Sequence, residues 1–148
     1  MSECPVWWNT TVTLYNKYED KTTHAITWFR TVLHNCFWKF TGNKVTVGNV
    51  TIDTDSSVCR VPQNSKFKER FEWEQLSDQE KSQYFTFGMG DIIVRGVVDD
   101  DIDEYSKGKR STDLLNKYNQ LQGCIIVHKM SDNTGIGRGI PHYGVRGV

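Results

Sequence analysis

The sequence lacks the features that mark several large classes of protein. Lysine plus arginine and aspartate plus glutamate each number 18 among 148 residues, so the formal net charge is zero. A duplex nucleic-acid-binding domain usually carries a basic excess, and this composition argues against one. No apolar stretch approaches the roughly 18 residues of a membrane span, and Met1 to Trp8 lacks the basic and apolar regions of a signal peptide. We therefore expect no membrane partner and a reducing cytoplasm.

Metal and catalytic signatures are missing too. The four cysteines, at positions 4, 36, 59 and 124, contain no Cys-x-x-Cys pair, and the four histidines add no metal-ligand pattern. We expect reduced, partly buried thiols, no cofactor, no metal and no enzymatic activity. Cys124 and His128 lie an even number of residues apart on a predicted strand and could share a face. A small thiol hydrolase is therefore the enzymatic alternative.

Two loops resemble ligand sites only superficially. The acidic run Asp99 to Glu104 lacks EF-hand spacing, which favours a solvated loop over a calcium site. This run could pair with the basic stretch Lys107 to Arg110, in the same subunit or in a neighbour. Gly135 to Gly139 is followed by Pro141 and a strand-like run, whereas a dinucleotide cradle opens a helix.

What is present is a series of short apolar and β-branched segments typical of strands. The longest runs from Ile26 to Phe40, and its even-numbered positions form one face of mostly large or apolar groups, with Arg30 as the exception. Gly48-Asn49 predicts a hairpin turn or a bulge. The other predicted strands are Thr11–Tyr15, Val45–Val47, Val50–Ile52, Val58–Val61, Asp91–Val98, the run from Cys124 and His142–Val148.

Helices are predicted at two places. Ser77 and Glu80 form a capping box, which predicts a short helix over 78–83. Ser111 is predicted to cap a helix over 111–119, on which Leu114, Leu115 and Tyr118 share a face. The aromatic spacing in 63–83 fits either helix or strand, and this stretch is a candidate insertion. The prediction is one domain, 1–148: a mainly β, small antiparallel β-barrel with one or two short helices and an inserted loop.

Several of these segments resemble, in order, small proteins encoded in structural operons of phages and prophages. The matching segments are Thr11–Tyr18, Val61-Pro62, Gly90–Gly96, Ser111–Tyr118, Met130–Asn133 and Pro141–Gly147. The wider similarity is to neck proteins of tailed bacteriophages, of the head-completion or stopper type.

The resemblance implies a structural virion protein that forms a ring, closes the DNA-filled head and joins it to the tail. It implies a homo-oligomer of six or twelve copies, assembled in the host cytoplasm and located in the virion neck. An adaptor or portal ring would lie above it, a tail-terminator or tail ring below, and packaged DNA in the lumen. A tail-terminator ring is the alternative position. Two alternatives remain for the surface that faces the DNA. One is the acidic run from Asp99 to Glu104, and the other is a set of basic residues in two loops, Lys107, Lys109, Arg110 and Arg138.

Aromatic residues make up 12% of the chain and include five tryptophans. Buried centres of subunit interfaces favour such residues, so we expect an interface formed by Trp28, Trp38, Phe67, Phe71 and Trp73. On this view Trp73→Ala leaves the monomer folded and abolishes the joining of heads to tails. The competing hypothesis is a single-stranded nucleic-acid-binding module that stacks bases on the aromatics between Phe67 and Trp73.

Overall fold

In a computed structural model, which describes residues 8–41, 44–53, 56–118, 123–135 and 140–148, six antiparallel strands pair in a closed ring. The ring strands are β1 (Thr10–Glu19), β2 (Ile26–Thr41), β5 (Ser56–Pro62), β6 (Ile92–Arg95), β7 (Cys124–Asp132) and β8 (His142–Gly147). Their order around the ring is β1-β2-β5-β8-β7-β6, and β6 pairs back onto β1. The mainly β, barrel-like architecture predicted from the sequence is thereby confirmed.

Alternate residues of the strands fill the barrel interior, as the two-residue period of a strand requires. Val12 and Leu14 of β1 point inward, as do Ile93 of β6 and Ile125 of β7. Cys36 and Cys59 lie in the same cluster and, like Cys124, are free buried thiols, as expected. A hydrogen bond with Cys36, together with burial, raises the pKa of the Cys59 thiol.

The sequence pattern predicted that the even-numbered residues of β2 form one face along the whole strand. The structure differs, because the residues that point inward change from odd-numbered to even-numbered positions within the strand. Leu33 points into the core, but so do Cys36 and Trp38, which have the opposite parity. The pairing with β1 shifts by one residue in this region, because Val12 lies opposite Leu33 whereas Thr10 lies opposite Cys36. Asn35 has a φ of 58°, the left-handed conformation that asparagine tolerates better than most residues. The extra residue is a β-bulge that exchanges the two faces of the strand.

The connection between β5 and β6 contains the stretch predicted as an insertion, and it closes one end of the barrel. It carries two short helices, α1 (Arg70–Glu74) and α2 (Asp78–Lys81). Phe67 and Phe85 form an isolated bridge and pack into the interior with Phe87. As predicted, Ser77 caps α2 by accepting the amide of Glu80 at 3.3 Å. With α1 the described residues contain three helices rather than one or two.

Helix α3 (Ser111–Lys117) covers the outer face of β1, β6 and β7. Leu114 and Leu115 are buried there and Tyr118 packs beside them, so the predicted shared face is confirmed. Ser111 was predicted to cap this helix, but Arg110 occupies the N-cap and Ser111 is the first helical residue. The backbone N–H of Arg110 donates to Asp113 Oδ2 at 3.1 Å. Among the described residues, no helix is both long and apolar enough to cross a membrane.

Strands β3 (Lys44–Val47) and β4 (Val50–Asp53) form the predicted hairpin, which we call the arm. Its ladder has the same register as the β2–β5 pair, since Thr41 lies opposite Ser56 and Lys44 opposite Asp53. Gly48, with a φ of 63°, occupies the turn. Residues 46–51 are exposed on both faces, so this part of the arm does not pack on the barrel.

Candidate functional site

The two sides of the barrel differ in what covers them. On one side the outward residues of β1, β6 and β7 form a second apolar cluster beneath α3. On the other side, none of the helices in the described residues packs on β2, β5, β8 or the later half of β7. Residues of β5, β8 and β7 line a shallow groove of about 310 Å³ there. Because an uncovered sheet face must meet either water or a partner, this side is the candidate functional surface.

The strand registers place the outward side chains of this surface in two rows, since cross-strand partners point to the same face. Each row crosses four neighbouring strands in the order β2, β5, β8, β7. The first row is Lys39, Val58, Arg146 and Lys129, and the second is Phe37, Arg60, Gly144 and Ser131. Four cations, Lys39, Arg60, Arg146 and Lys129, therefore lie on one surface, which we call the basic sheet face.

Bulges make this alignment possible. Asn35 sets the parity of β2, so that Lys39 points outward. A second register shift falls between Val127 and Lys129 of β7, and it exchanges the faces of that strand. Before the shift the outward residues, such as Cys124, are apolar and lie under α3; after it they are Lys129 and Ser131. The same strand thus serves the covered side first and the basic sheet face second.

The floor of the groove is neutral and hydrogen-bonded. A Cβ atom at Gly144 would stand 2.9 Å from the Ser131 hydroxyl and 3.3 Å from the Asn133 amide nitrogen, so a larger residue here would displace these side chains. His142 Nδ1 lies 2.7 Å from the Ile140 carbonyl oxygen, and since a carbonyl accepts, this nitrogen carries the proton. His142 Nε2 therefore accepts from the Asn133 amide at 3.3 Å. This bond joins the first residue of β8 to the residue that follows β7.

An aromatic corner borders the groove. The Arg60 guanidinium lies over the Phe37 ring, with its carbon 5.4 Å from the centroid. Trp8 packs against Phe37 at 6.2 Å and against His142 at 5.6 Å between centroids. Trp8 is buried and Phe37 and His142 are half-buried, so the basic sheet face offers charge and hydrogen bonds rather than an open stacking platform.

The aromatics predicted as a subunit interface are distributed differently from that expectation. Trp73 has 0% of its surface exposed and packs against Tyr18 and Phe29, so it is part of the monomer's core. Trp38 belongs to the barrel interior, which corrects its assignment as well.

The other three predicted interface residues remain at least partly accessible. Phe67 is partly buried against the core of the barrel, and Trp28 is partly buried against the apolar cluster beneath α3. Phe71 is 74% exposed and remains available to a partner. Base stacking on the stretch from Phe67 to Trp73 therefore has one open ring, Phe71, rather than the three that the sequence suggested.

A buried ion pair, which the sequence did not reveal, anchors α1 to the barrel. Asp91, directly before β6, is completely buried and accepts from Arg70 Nη1 at 3.0 and 3.1 Å. It also accepts from the Lys17 and Gly88 amides and from Asn16 Nδ2, each at 2.9 Å. Burial raises the pKa of Asp91, and Arg70 with these hydrogen bonds opposes the rise. The only sequence signal was a lone acid before an apolar run.

The basic residues predicted to face a DNA channel lie in a mixed-charge region. Lys109 and Arg110 line a cavity of about 420 Å³ together with Asp99, Asp100 and Asp101. Asp100 pairs with Lys117 of α3 at 3.1 Å, and hydrogen bonds from Tyr118 and Lys117 lower its pKa. The acidic and basic stretches thus meet within one subunit. Lys107 belongs to the same connection, and Arg138 lies outside the described residues.

Cys124 is poorly suited to be a nucleophile. It is buried beneath α3, and burial raises its pKa to about 11, so the thiolate is scarce at neutral pH. His128 is exposed beside the bulge of β7, where the alternation on which the predicted shared face depended is interrupted. Among the described residues, no group of three or more histidine, cysteine, aspartate or glutamate side chains could hold a metal ion.

Comparison with known proteins places the chain in a family. No curated protein and no solved structure matches it. A family model, described as a family of unknown function (DUF6751), matches residues 7–148. Since the match covers nearly the whole chain, this protein belongs to that family.

Proposed function

We propose that this protein is a structural subunit of the neck of a tailed bacteriophage, forming a ring that closes the DNA-filled head and joins it to the tail. In this role the protein would have no enzymatic activity, would assemble in the host cytoplasm and would be located in the virion. Its neighbours would be an adaptor or portal ring above and a tail-terminator or tail ring below. The ordered motifs from Thr11 to Gly147 support the class, and the small closed barrel is compatible with it.

The exposed arm is the structural observation that best supports ring formation. Val47 and Val50 at its tip are 64% and 60% exposed, although they lie opposite each other on one face. A two-stranded hairpin with no core of its own is marginally stable in water, so an exposed apolar pair of this kind favours a partner surface. The partner we propose is a second copy of the chain, which would receive the arm on a different part of its own surface.

Such a contact is heterologous, and a heterologous contact closes into a ring when its rotation permits. The receiving surface we propose is the barrel end closed by the β5–β6 connection, where Phe71 and Met89 are exposed. Both residues lie close to Arg70, whose side chain reaches Gly88. Docking an arm there would cover apolar surface on both copies, which is the main driving force of association.

The test compares the two faces of the arm. Val47 pairs with Val50, and the adjacent pair, Thr46 and Thr51, lies on the opposite face. We expect Val47→Asp/Val50→Asp to shift the purified protein from rings to monomers, as measured by native mass spectrometry and negative-stain electron microscopy. Thr46→Asp/Thr51→Asp adds the same charge to the other face and should leave the rings intact.

Two results would contradict the proposal. One is a wild-type protein that stays monomeric at high concentration, and the other is an assembly that neither pair of substitutions affects. Gene neighbourhood gives an independent check on the class of protein. Flanking portal, capsid and tail-tube genes are expected, and a gene surrounded by metabolic enzymes would count against a neck protein.

A further inference from the structure

Among the residues that the structure describes, no acidic side chain forms an ion pair with the cations of the basic sheet face. Lys39, Arg60, Lys129 and Arg146 are all exposed. The ion pairs within the described residues engage other cations, namely His24, Arg70 and Lys117. No acidic side chain is found among the described residues that line the groove. In a chain with a net charge of zero, this is a local concentration of positive charge that favours an anionic partner.

The spacing of the cations indicates a polymeric anion rather than a small one. Adjacent strands lie about 4.8 Å apart, so Lys39 and Lys129 at the ends of the first row are separated by roughly 14 Å. Arg60 stands in the second row, about 7 Å along the strand direction from the first. These separations are too large for one phosphate group to meet all four cations, but successive phosphates of a nucleic-acid backbone can contact them in turn.

The chemistry of the groove favours backbone contact over base recognition. Its floor supplies a neutral hydroxyl, that of Ser131, which accepts from Asn133 and can donate its own proton to a phosphate oxygen. The Phe37 ring contacts Arg60 and Trp8 and is half-buried, so it offers bases little surface for stacking. Single-stranded nucleic acid relies on such stacking for much of its affinity, whereas a duplex presents its phosphates outward.

We infer that the basic sheet face contacts the phosphate backbone of double-stranded DNA without reading its sequence. The inference rests on the proposed function for the source of that DNA, the genome in the phage head. It assigns the DNA-facing surface to the side of β2, β5, β8 and β7, instead of the loop 107–110. In that loop Lys109 and Arg110 share a cavity with Asp99, Asp100 and Asp101, which would repel phosphate.

The experiment removes three positive charges from either place. Arg60→Gln/Lys129→Gln/Arg146→Gln alters the basic sheet face, and Lys107→Gln/Lys109→Gln/Arg110→Gln is the control with the same change of net charge. Binding of a fluorescent DNA duplex of arbitrary sequence to the full chain is measured by anisotropy over a range of salt concentrations. Circular dichroism verifies that both variants are folded.

We expect the sheet-face variant to bind at least about tenfold more weakly than wild type at low salt, while the control stays within about threefold. The slope of log affinity against log salt, which is negative, should become shallower by roughly 2 to 3 for the sheet-face variant, since each phosphate contact contributes about −0.9. Equal losses in the two variants, preference for single-stranded DNA, or no binding by wild type would overturn the inference.

The two proposals fail in different ways. If the protein binds duplex DNA through the basic sheet face but never forms rings, the proposed neck ring is wrong and the proposed DNA-binding surface stands. If it forms rings whose DNA binding does not change with the sheet-face substitutions, the proposed ring stands and the DNA-binding surface is wrong. Oligomeric state is therefore recorded for every variant beside the binding curve.

Discussion

Arg70 makes two ion pairs that differ in their surroundings. Its pair with Asp91 lies against a completely buried carboxylate, whereas its pair with Glu74, at 3.5 Å, is about 30% exposed on both sides. Every neighbour of the Asp91 oxygens is a donor, so an amide in its place would point an N–H group at another donor. Exposed ion pairs contribute little because water already solvates their charges.

We therefore predict that Asp91→Asn lowers the free energy of unfolding by about 3–5 kcal/mol, the range for breaking a buried pair. Glu74→Gln removes the other partner of the same arginine and should change it by no more than about 1 kcal/mol. Urea unfolding of the two variants beside wild type measures both values. Similar values for the two substitutions would mean that the buried network does not anchor α1 to the barrel.

At the scale of elements, α1 shows how one short helix can present opposite surfaces. Trp73 faces inward, where Lys81 lies over its ring at 5.7 Å, and Phe71, two residues earlier, faces solvent. The aromatic spacing that left helix and strand open in the sequence corresponds to one turn of helix whose aromatics point to both sides. Tertiary packing, which no local pattern encodes, decides which ring is buried.

The matched pair on α1 gives the second prediction. Trp73→Ala should destabilise the monomer by about 3–5 kcal/mol, as expected for a fully buried large aromatic. Phe71→Ala should change stability by no more than about 0.5 kcal/mol, because its ring is exposed. Thermal unfolding distinguishes the two. A Trp73→Ala monomer as stable as wild type would restore the interface role first expected for this residue.

Most elements were predictable from the sequence because a two-residue alternation or a capping box is a local signal. The bulges at Asn35 and before Lys129 were not, since an extra residue changes the face of a strand without changing its composition. The basic sheet face could not be predicted either. Its cations come from four strands whose neighbours are set by register, and the zero net charge concealed them.

At the scale of the whole molecule, the barrel and the arm are separable in structure. Thr41 and Ser56 lie opposite each other where the β2–β5 ladder stops, in the same relation as Val47 and Val50 at the tip. The native turn Gly48-Asn49 can therefore be moved down to join Thr41 directly to Ser56. This deletion removes the arm and keeps a hairpin of the same register.

We predict that this shortened protein melts within a few degrees of wild type, because the described residues at the arm's tip are exposed and add nothing to the barrel core. It should remain monomeric at concentrations at which wild type forms rings. Calorimetry and native mass spectrometry measure the two properties. A shortened chain that unfolds, or one that still assembles, would show that barrel and arm are not independent in this way.

The position of β8 in the ring has a consequence for biosynthesis. Because β8 links β5 to β7, the ring cannot close before residues 142–147 have left the ribosome. Until then, β5 and β7 each have one backbone edge without a pairing strand, and such edges readily pair with other chains. Nascent chains on one polysome are close neighbours in this state, so translation speed and chaperone capture should influence the yield of closed monomers.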